Sequence, residues 1–350
     1  MTADTASPAS GTDLARAYWT EVVRPVLDRG LPGLPRAAAR LGSGSDVLGL
    51  DDETSRDHDW GLRLTLLVTE DRVEEVDALL EAELPGTYRG LPTRFGTTWD
   101  RQVRQRVEVA DAAGFARSRT GLDVSRDLAP ADWLALTGQS ILEVTAGPVF
   151  EDGPGEITRI RQRLAWYPHD VWLHVLAAEW RRLGQELSFV GRTGARGDDL
   201  GSRIVAARLA GSLVRLGFLT ERRWPPYPKW SGTLFARLPV AATAAQPLAE
   251  ALAAATWQER DAALAAACDA VHDRQREVGL PALDGPATQQ FFDRPFRGLR
   301  GVPEVLADAI TDEAVRALPA EGAVEQWLDC VGVLTDPARR VAVARHGRPA

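Results

Sequence analysis

The stretch Asp57-His58-Asp59-Trp60-Gly61-Leu62-Arg63-Leu64-Thr65-Leu66-Leu67-Val68 passes from an acidic, glycine-bearing lead-in to an apolar run. A run this short, entered through a glycine, reads as a strand over residues 62–68. Upstream, Leu14, Tyr18, Val22, Val26 and Leu27 recur at spacings of three and four, which predicts an amphipathic helix that Asp13 can cap. Between the two lies a turn of small residues, Leu41-Gly42-Ser43-Gly44-Ser45. Downstream, a helix is expected over 70–84, a second strand over 101–110 and a third over 141–150, closed by the Glu151-Asp152-Gly153-Pro154-Gly155 turn. Beyond Gly155 only helical periodicity remains, over 156–167, 170–186, 198–221, 247–279, 302–318 and 324–334. Three prolines keep Arg223-Trp224-Pro225-Pro226-Tyr227-Pro228 out of a helix interior. The expected fold class is therefore α+β. Residues 1–12 read as a disordered leader, 13–154 as a small mixed-sheet domain with flanking helices, and 155–350 as an all-helical bundle domain.

Composition narrows the chemistry. The chain has 350 residues, 45% hydrophobic and 26% charged, ordinary globular proportions. Its 41 basic residues include a single lysine, Lys229. Because Lys229 sits between Pro228 and Trp230, a phosphate loop built on Gly-Lys-Ser/Thr is excluded, and so is the strand lysine of protein kinases. GC-rich coding accounts for most of the arginine bias. Cys268 and Cys330 stand far apart, which excludes a disulfide framework and suits a reducing compartment. The five histidines form no His-Glu-x-x-His pattern. No apolar run has the length of a membrane span, and residues 1–11 carry no signal pattern, so no membrane association and a cytoplasmic location are expected. A net charge of −8 and a pI near 5.3 disfavour nucleic acid as a partner.

Asp57 and Asp59, two apart at a strand start, would project from one face about 7 Å apart. Paired carboxylates repel unless a cation lies between them, and hard oxygen ligands select Mg2+ or Mn2+. Upstream of them, across thirteen intervening residues, Gly42-Ser43 can offer a hydroxyl and backbone N–H groups to a phosphate chain. With 49 acidic residues in 350, acid-x-acid triplets arise by chance about seven times, so the order of the features carries the reading. Asp46, Asp51, Asp52 and Glu53 in the spacer leave a solvated acidic loop as the alternative.

Gly-Ser, a spacer and Asp-x-Asp entering a strand resembles the signature of the polymerase-beta-like nucleotidyltransferase superfamily, which includes the aminoglycoside nucleotidyltransferases. The stretch from Gly42 to Trp60 resembles more closely an uncharacterised bacterial family of that superfamily, carried as a domain of unknown function. Leu142-Glu143-Val144-Thr145-Ala146-Gly147-Pro148-Val149-Phe150, Phe189-Val190-Gly191-Arg192 and Pro226-Tyr227-Pro228-Lys229-Trp230 are also similar. The spacer is long, and His58 stands where an apolar residue is usual.

The resemblance implies a Mg2+- or Mn2+-dependent transfer of a nucleoside monophosphate from a nucleoside triphosphate, ATP in the first instance, to a hydroxyl of a small molecule. Asp57, Asp59 and Glu108 would hold the metals, Glu108 being the third carboxylate and also the base, with Glu143 as its competitor for that role. Gly42 and Ser43 would bind the phosphates. Lys229 and Arg192 are the cations expected to meet the leaving pyrophosphate, Lys229 because a compact ammonium survives where every other basic residue is arginine. Two other readings stay open: an inactive nucleotide-binding sensor or partner module of the same fold, and a transferase acting on tRNA or protein. Trp166, Trp172 and Trp180 read as helix packing, and Asp198 as a helix cap.

Overall fold

The computed structural model of the chain describes residues 10–55, 60–98 and 100–346. The fold class is α+β, with a small mixed sheet towards the N-terminus and a helical C-terminal region. Two compact units divide the chain: Met1–Asp127 with Ser140–Ala165, and Leu128–Gln139 with Trp166–Ala350. This differs from a single cut at 154, because residues 155–165 go with the sheet and 128–139 with the helices. The expected leader falls on residues 1–9, outside the described residues, and on Ser10 to Thr12, where a helix is already starting.

The first unit opens with α1 (Gly11–Tyr18), a π-helical turn over Trp19–Val23 and α2 (Arg24–Gly30). Ser10, not Asp13, is the cap: its Oγ accepts from the Asp13 backbone N–H at 3.1 Å. Pro25 has no N–H to donate back into the helix, and the wider π turn just before it absorbs that loss.

The sheet has four strands, in the order residues 107–110, 64–67, 37–39 and 149–152. Central β1 (Ala37–Ala39) runs antiparallel to both β2 (Leu64–Leu67) and β8 (Val149–Asp152). β7 (Val107–Ala110) runs parallel to β2, which requires a crossover, supplied by α3 (Val73–Glu83). Two small pairings decorate the crossover: β3 (Thr87–Tyr88) with β4 (Leu91–Pro92), and β5 (Arg94–Phe95) with β6 (Arg104–Gln105). The strand expected over 101–110 is broken at Arg106, whose guanidinium turns away to the Phe95 carbonyl and Asp100.

Period-two alternation sorts the sheet faces. Leu64, Leu66, Val107 and Ala38 enter one core with Tyr18, Val23, Leu27, Val76 and Leu80. On the other parity, Thr65 stands opposite Glu108 on one side and Ala39 on the other. α4 (Ala112–Thr120) follows β7. The chain then makes the single turn α5 (Pro130–Trp133) before α6 (Gly138–Thr145), β8 and α7 (Glu156–Arg163). The strand expected over 141–150 is thus a helix followed by a shorter strand. Ile141 and Val144 are both fully buried at a helical spacing, and Gly147, at φ 76°, together with Pro148, separates the two elements.

In the second unit, α8 (His169–Gly194) packs on α9 (Asp199–Thr220) and, past α10 (Pro228–Phe235) and α11 (Ala241–Ala253), on α12 (Trp257–Glu277). Asp198 caps α9 as expected, accepting from the Gly201 N–H at 2.8 Å. Trp172 and Trp180 are buried, their indole N–H groups donating to the Leu219 carbonyl and the Gln275 side chain, each at 2.8 Å. Trp166 joins Tyr167 and Trp224 in an aromatic cluster with Trp133. The helix expected over 247–279 is two helices, with Pro247 inside α11 and a new start at Thr256, whose side chain and Glu259 form a capping box. The region is helical as expected, and among the described residues it also carries the hairpin of β9 (Thr288–Gln290) and β10 (Arg297–Leu299). A closing helix, Pro337–His346, went unforeseen.

Leu66, fully buried in β2, should cost about 2–5 kcal/mol on Leu66→Ala, measured by urea unfolding. In the second unit the Glu325 carboxylate accepts the Gly138 N–H at 3.1 Å, and burial pushes its pKa up to about 7 against the pull of Arg215. An acid whose pKa is raised by folding stabilises only while protonated, so its contribution is full below about pH 4.5 and is lost as pH rises through about 7. Glu325→Gln should flatten that fall in a pH series of unfolding midpoints.

Candidate functional site

The turn after β1 is fixed from behind by a buried arginine. Arg40 Nε and Nη2 grip the Asp46 carboxylate at 2.7 and 2.8 Å, while Nη1 and Nη2 donate to the carbonyls of Leu41 and Ser43 at 2.5 and 3.0 Å. Gly44, at φ 144°, lies against this pair so closely that a side chain there would overlap both Asp46 and Arg40. From the other side, the Gly42 N–H donates to the Glu143 carbonyl at 2.7 Å and the Arg40 N–H to the Pro148 carbonyl at 3.0 Å. Gly42 therefore gives the turn its shape, at φ 84°, with its N–H already engaged by the protein.

The acidic spacer is largely structural. Asp46 is buried, Asp51 accepts the Gly11 N–H at 2.6 Å and the Trp60 indole at 3.4 Å, and Asp52 accepts the Ser55 N–H at 2.9 Å. Hydrogen bonds from Ser55 hold the Asp52 carboxyl below the usual range.

In front of the turn lies a cavity of about 410 Å3, bounded by Ser43, Arg63, Thr65, Glu108 and Arg119 at one end and by Asp77, Arg104 and Arg106 at the other. Arg63 Nη2 donates to Ser43 Oγ at 3.4 Å. Burial and the neighbouring Arg40 weaken the hold of Arg63 on its proton, whereas Asp46 and Glu108 strengthen it. A guanidinium stays charged in such surroundings, so Arg63 brings a partly desolvated positive charge to the Ser43 hydroxyl. Arg119, in the last turn of α4, places Nη2 at 2.5 and 2.6 Å from the two Glu108 oxygens and Nε at 3.8 Å from Glu143 Oε2. Both carboxylates that compete for the third-acid role thus meet one arginine. Glu108 comes from the strand beside β2, and Glu143 from helix α6 rather than a strand.

Of the residues singled out in the sequence, Ser43 and Glu108 line one cavity, Gly42 shapes its turn, and Glu143 touches its edge through Arg119. Asp57, His58 and Asp59 lie outside the described residues. Among the described residues, no group of three or more His, Cys, Asp or Glu is placed to hold a metal ion. Lys229 and Arg192 belong to the second unit. Lys229 is exposed at the start of α10, its Nζ 4.7 Å from the centre of the Trp230 ring. Arg192 lies over the Phe189 ring at 5.3 Å. Sequence reasoning passed over Arg40, Arg63 and Arg119, and nothing marks the last two among 41 basic residues. Arg40 alone had a signal: Arg40 and Asp46 stand six apart and flank four small residues, the spacing of an ion pair closed over a turn.

Gly44→Ala should destabilise the chain by about 1–3 kcal/mol in urea titrations. Gly49→Ala, also at positive φ but with open space around it, should cost about 1 kcal/mol.

Among the described residues, no helix is long and apolar enough to cross a membrane. No curated protein matches the chain. The family model described as Domain of unknown function (DUF4037) matches residues 133–231, a span that takes in Leu142–Phe150, Phe189–Arg192 and Pro226–Trp230 and stops short of the Ser43 turn and its cavity.

Proposed function

We propose that the chain is a nucleotidyltransferase that moves a nucleoside monophosphate from a nucleoside triphosphate, ATP in the simplest case, to a hydroxyl of a small-molecule acceptor, releasing pyrophosphate. The observation that carries this reading is the shared cavity of Ser43 and Glu108, residues far apart in sequence that border the strand entered from Asp57-His58-Asp59. The Ser43 hydroxyl and the Arg63 guanidinium offer donors to a phosphate chain. Glu108, across the sheet at the level of Thr65, is the carboxylate to accept the acceptor's proton. The acidic total favours a small acceptor over nucleic acid.

Magnesium or manganese, implied by the resemblance, would neutralise charge on the triphosphate. Its holders would be Asp57 and Asp59. Glu108 is engaged by Arg119, so the described residues alone do not make a cation site.

The same Glu108–Arg119 pair favours a second reading, an inactive module that binds nucleotide and signals its presence. The two readings separate on turnover. Asp57→Asn and Asp59→Asn should each lower pyrophosphate release about a hundredfold or more while circular dichroism stays unchanged. Turnover equal to wild type in both variants overturns the transferase reading, and nucleotide binding without any pyrophosphate release by the wild type selects the sensor. Lys229→Arg should raise KM for the triphosphate several-fold, whereas Arg237→Lys, at an exposed position on the same unit, should leave it unchanged.

A further inference from the structure

We infer that Glu108 is an internal stand-in for phosphate on Arg119, exchanged for the phosphate chain of the incoming ligand. The inference rests on the nucleotide-transfer reading and adds to it how the pocket is loaded. Three arginines approach the Ser43 turn, and they are not equivalent. Arg40 is committed: its side chain is 3% exposed, and it grips a buried carboxylate and two carbonyls of its own turn. Arg63 already points a nitrogen at the Ser43 hydroxyl. Arg119 is held differently, by a carboxylate whose side chain is 42% exposed.

An ion pair so open to water is weakly held. A phosphate chain carries more charge and more acceptor oxygens than a carboxylate, and it suits the two-pronged face of a guanidinium. Arg119 also needs little travel to reach it. Its Nη2 rests 3.5 Å from the point where a Gly42 side chain would begin, against the turn that presents Ser43, and Glu143 steadies its Nε side at 3.8 Å. The exchange moves no proton. Glu108 leaves it ionised and without its arginine, so a free base is delivered only in a pocket that holds phosphate, and the empty pocket keeps its carboxylate neutralised.

The test is calorimetric titration with inorganic triphosphate in the presence of a chelator, on the full chain. Removing the stand-in with Glu108→Gln should tighten binding about tenfold, and Arg119→Gln should weaken it about tenfold. The double variant decides the mechanism. If Glu108 acts through Arg119, adding Glu108→Gln to Arg119→Gln should change affinity less than twofold. If Glu108 merely repels the anion, the tenfold gain persists in that background and the exchange is overturned. Absence of any gain from Glu108→Gln in the wild-type background overturns it as well. A gain in affinity cannot come from misfolding. The titration contains neither metal nor acceptor, so its failure leaves the pyrophosphate test of Asp57 and Asp59 standing, and the reverse.

Discussion

The Arg40–Asp46 ion pair is the contact on which the rest of the sheet unit depends. Both side chains are nearly fully buried, 3% and 6% exposed, so neither has water to fall back on. Loss of one partner from such a pair costs about 3–5 kcal/mol, because the other charge is left uncompensated. Around it the chain has no spare room. Gly44 fits only because it lacks a side chain, Gly11 at the start of α1 abuts Asp46, and Gly147 lies on the Arg40 carbonyl. One ion pair thereby sets the Ser43 turn, the entry of the first helix and the approach of α6 to β1. The pocket inherits its shape from that arrangement.

Segments within the span matched by the family model also acquire physical reasons. Glu143 to Pro148 supplies the two carbonyls that receive the N–H groups of Arg40 and Gly42, so Leu142–Phe150 and the glycine-serine turn are halves of one hydrogen-bonded contact. Gly191, in Phe189-Val190-Gly191-Arg192, lets the Phe296 ring reach the backbone of α8, which seats the hairpin. Pro228 sits in the first turn of α10, where its missing N–H costs nothing.

How much of this was legible depends on the type of residue that carries it. The long helices and the strand at 64–67 were readable, because buried leucines and alanines recur with a clear period. Ile141-Leu142-Glu143-Val144 was not, since a short apolar run fits either period until a neighbour chooses. The hairpin Thr288–Gln290 with Arg297–Leu299 escaped because its strands are mostly polar and three residues long. At the site, Ser43 and Glu108 could be named from order along the chain. The arginines that give the cavity its charge could not, for in a sequence with one lysine among 41 basic residues an arginine with a purpose looks like every other.

The sheet unit is not a continuous piece of chain. Its fourth strand, Val149–Asp152, and the helix Glu156–Arg163 arrive only after residues 128–139 have been given to the other unit. During synthesis, then, the edge of β1 that β8 will cover stays open until roughly 150 residues have emerged, although β1, β2 and β7 are already present. The Arg40 and Gly42 N–H groups wait equally long for their carbonyls. A nascent chain halted before that point would expose a bare strand edge, the kind of surface that recruits chaperones or a neighbouring chain. The pocket becomes a finished object late in translation, at the moment the interrupted unit is closed.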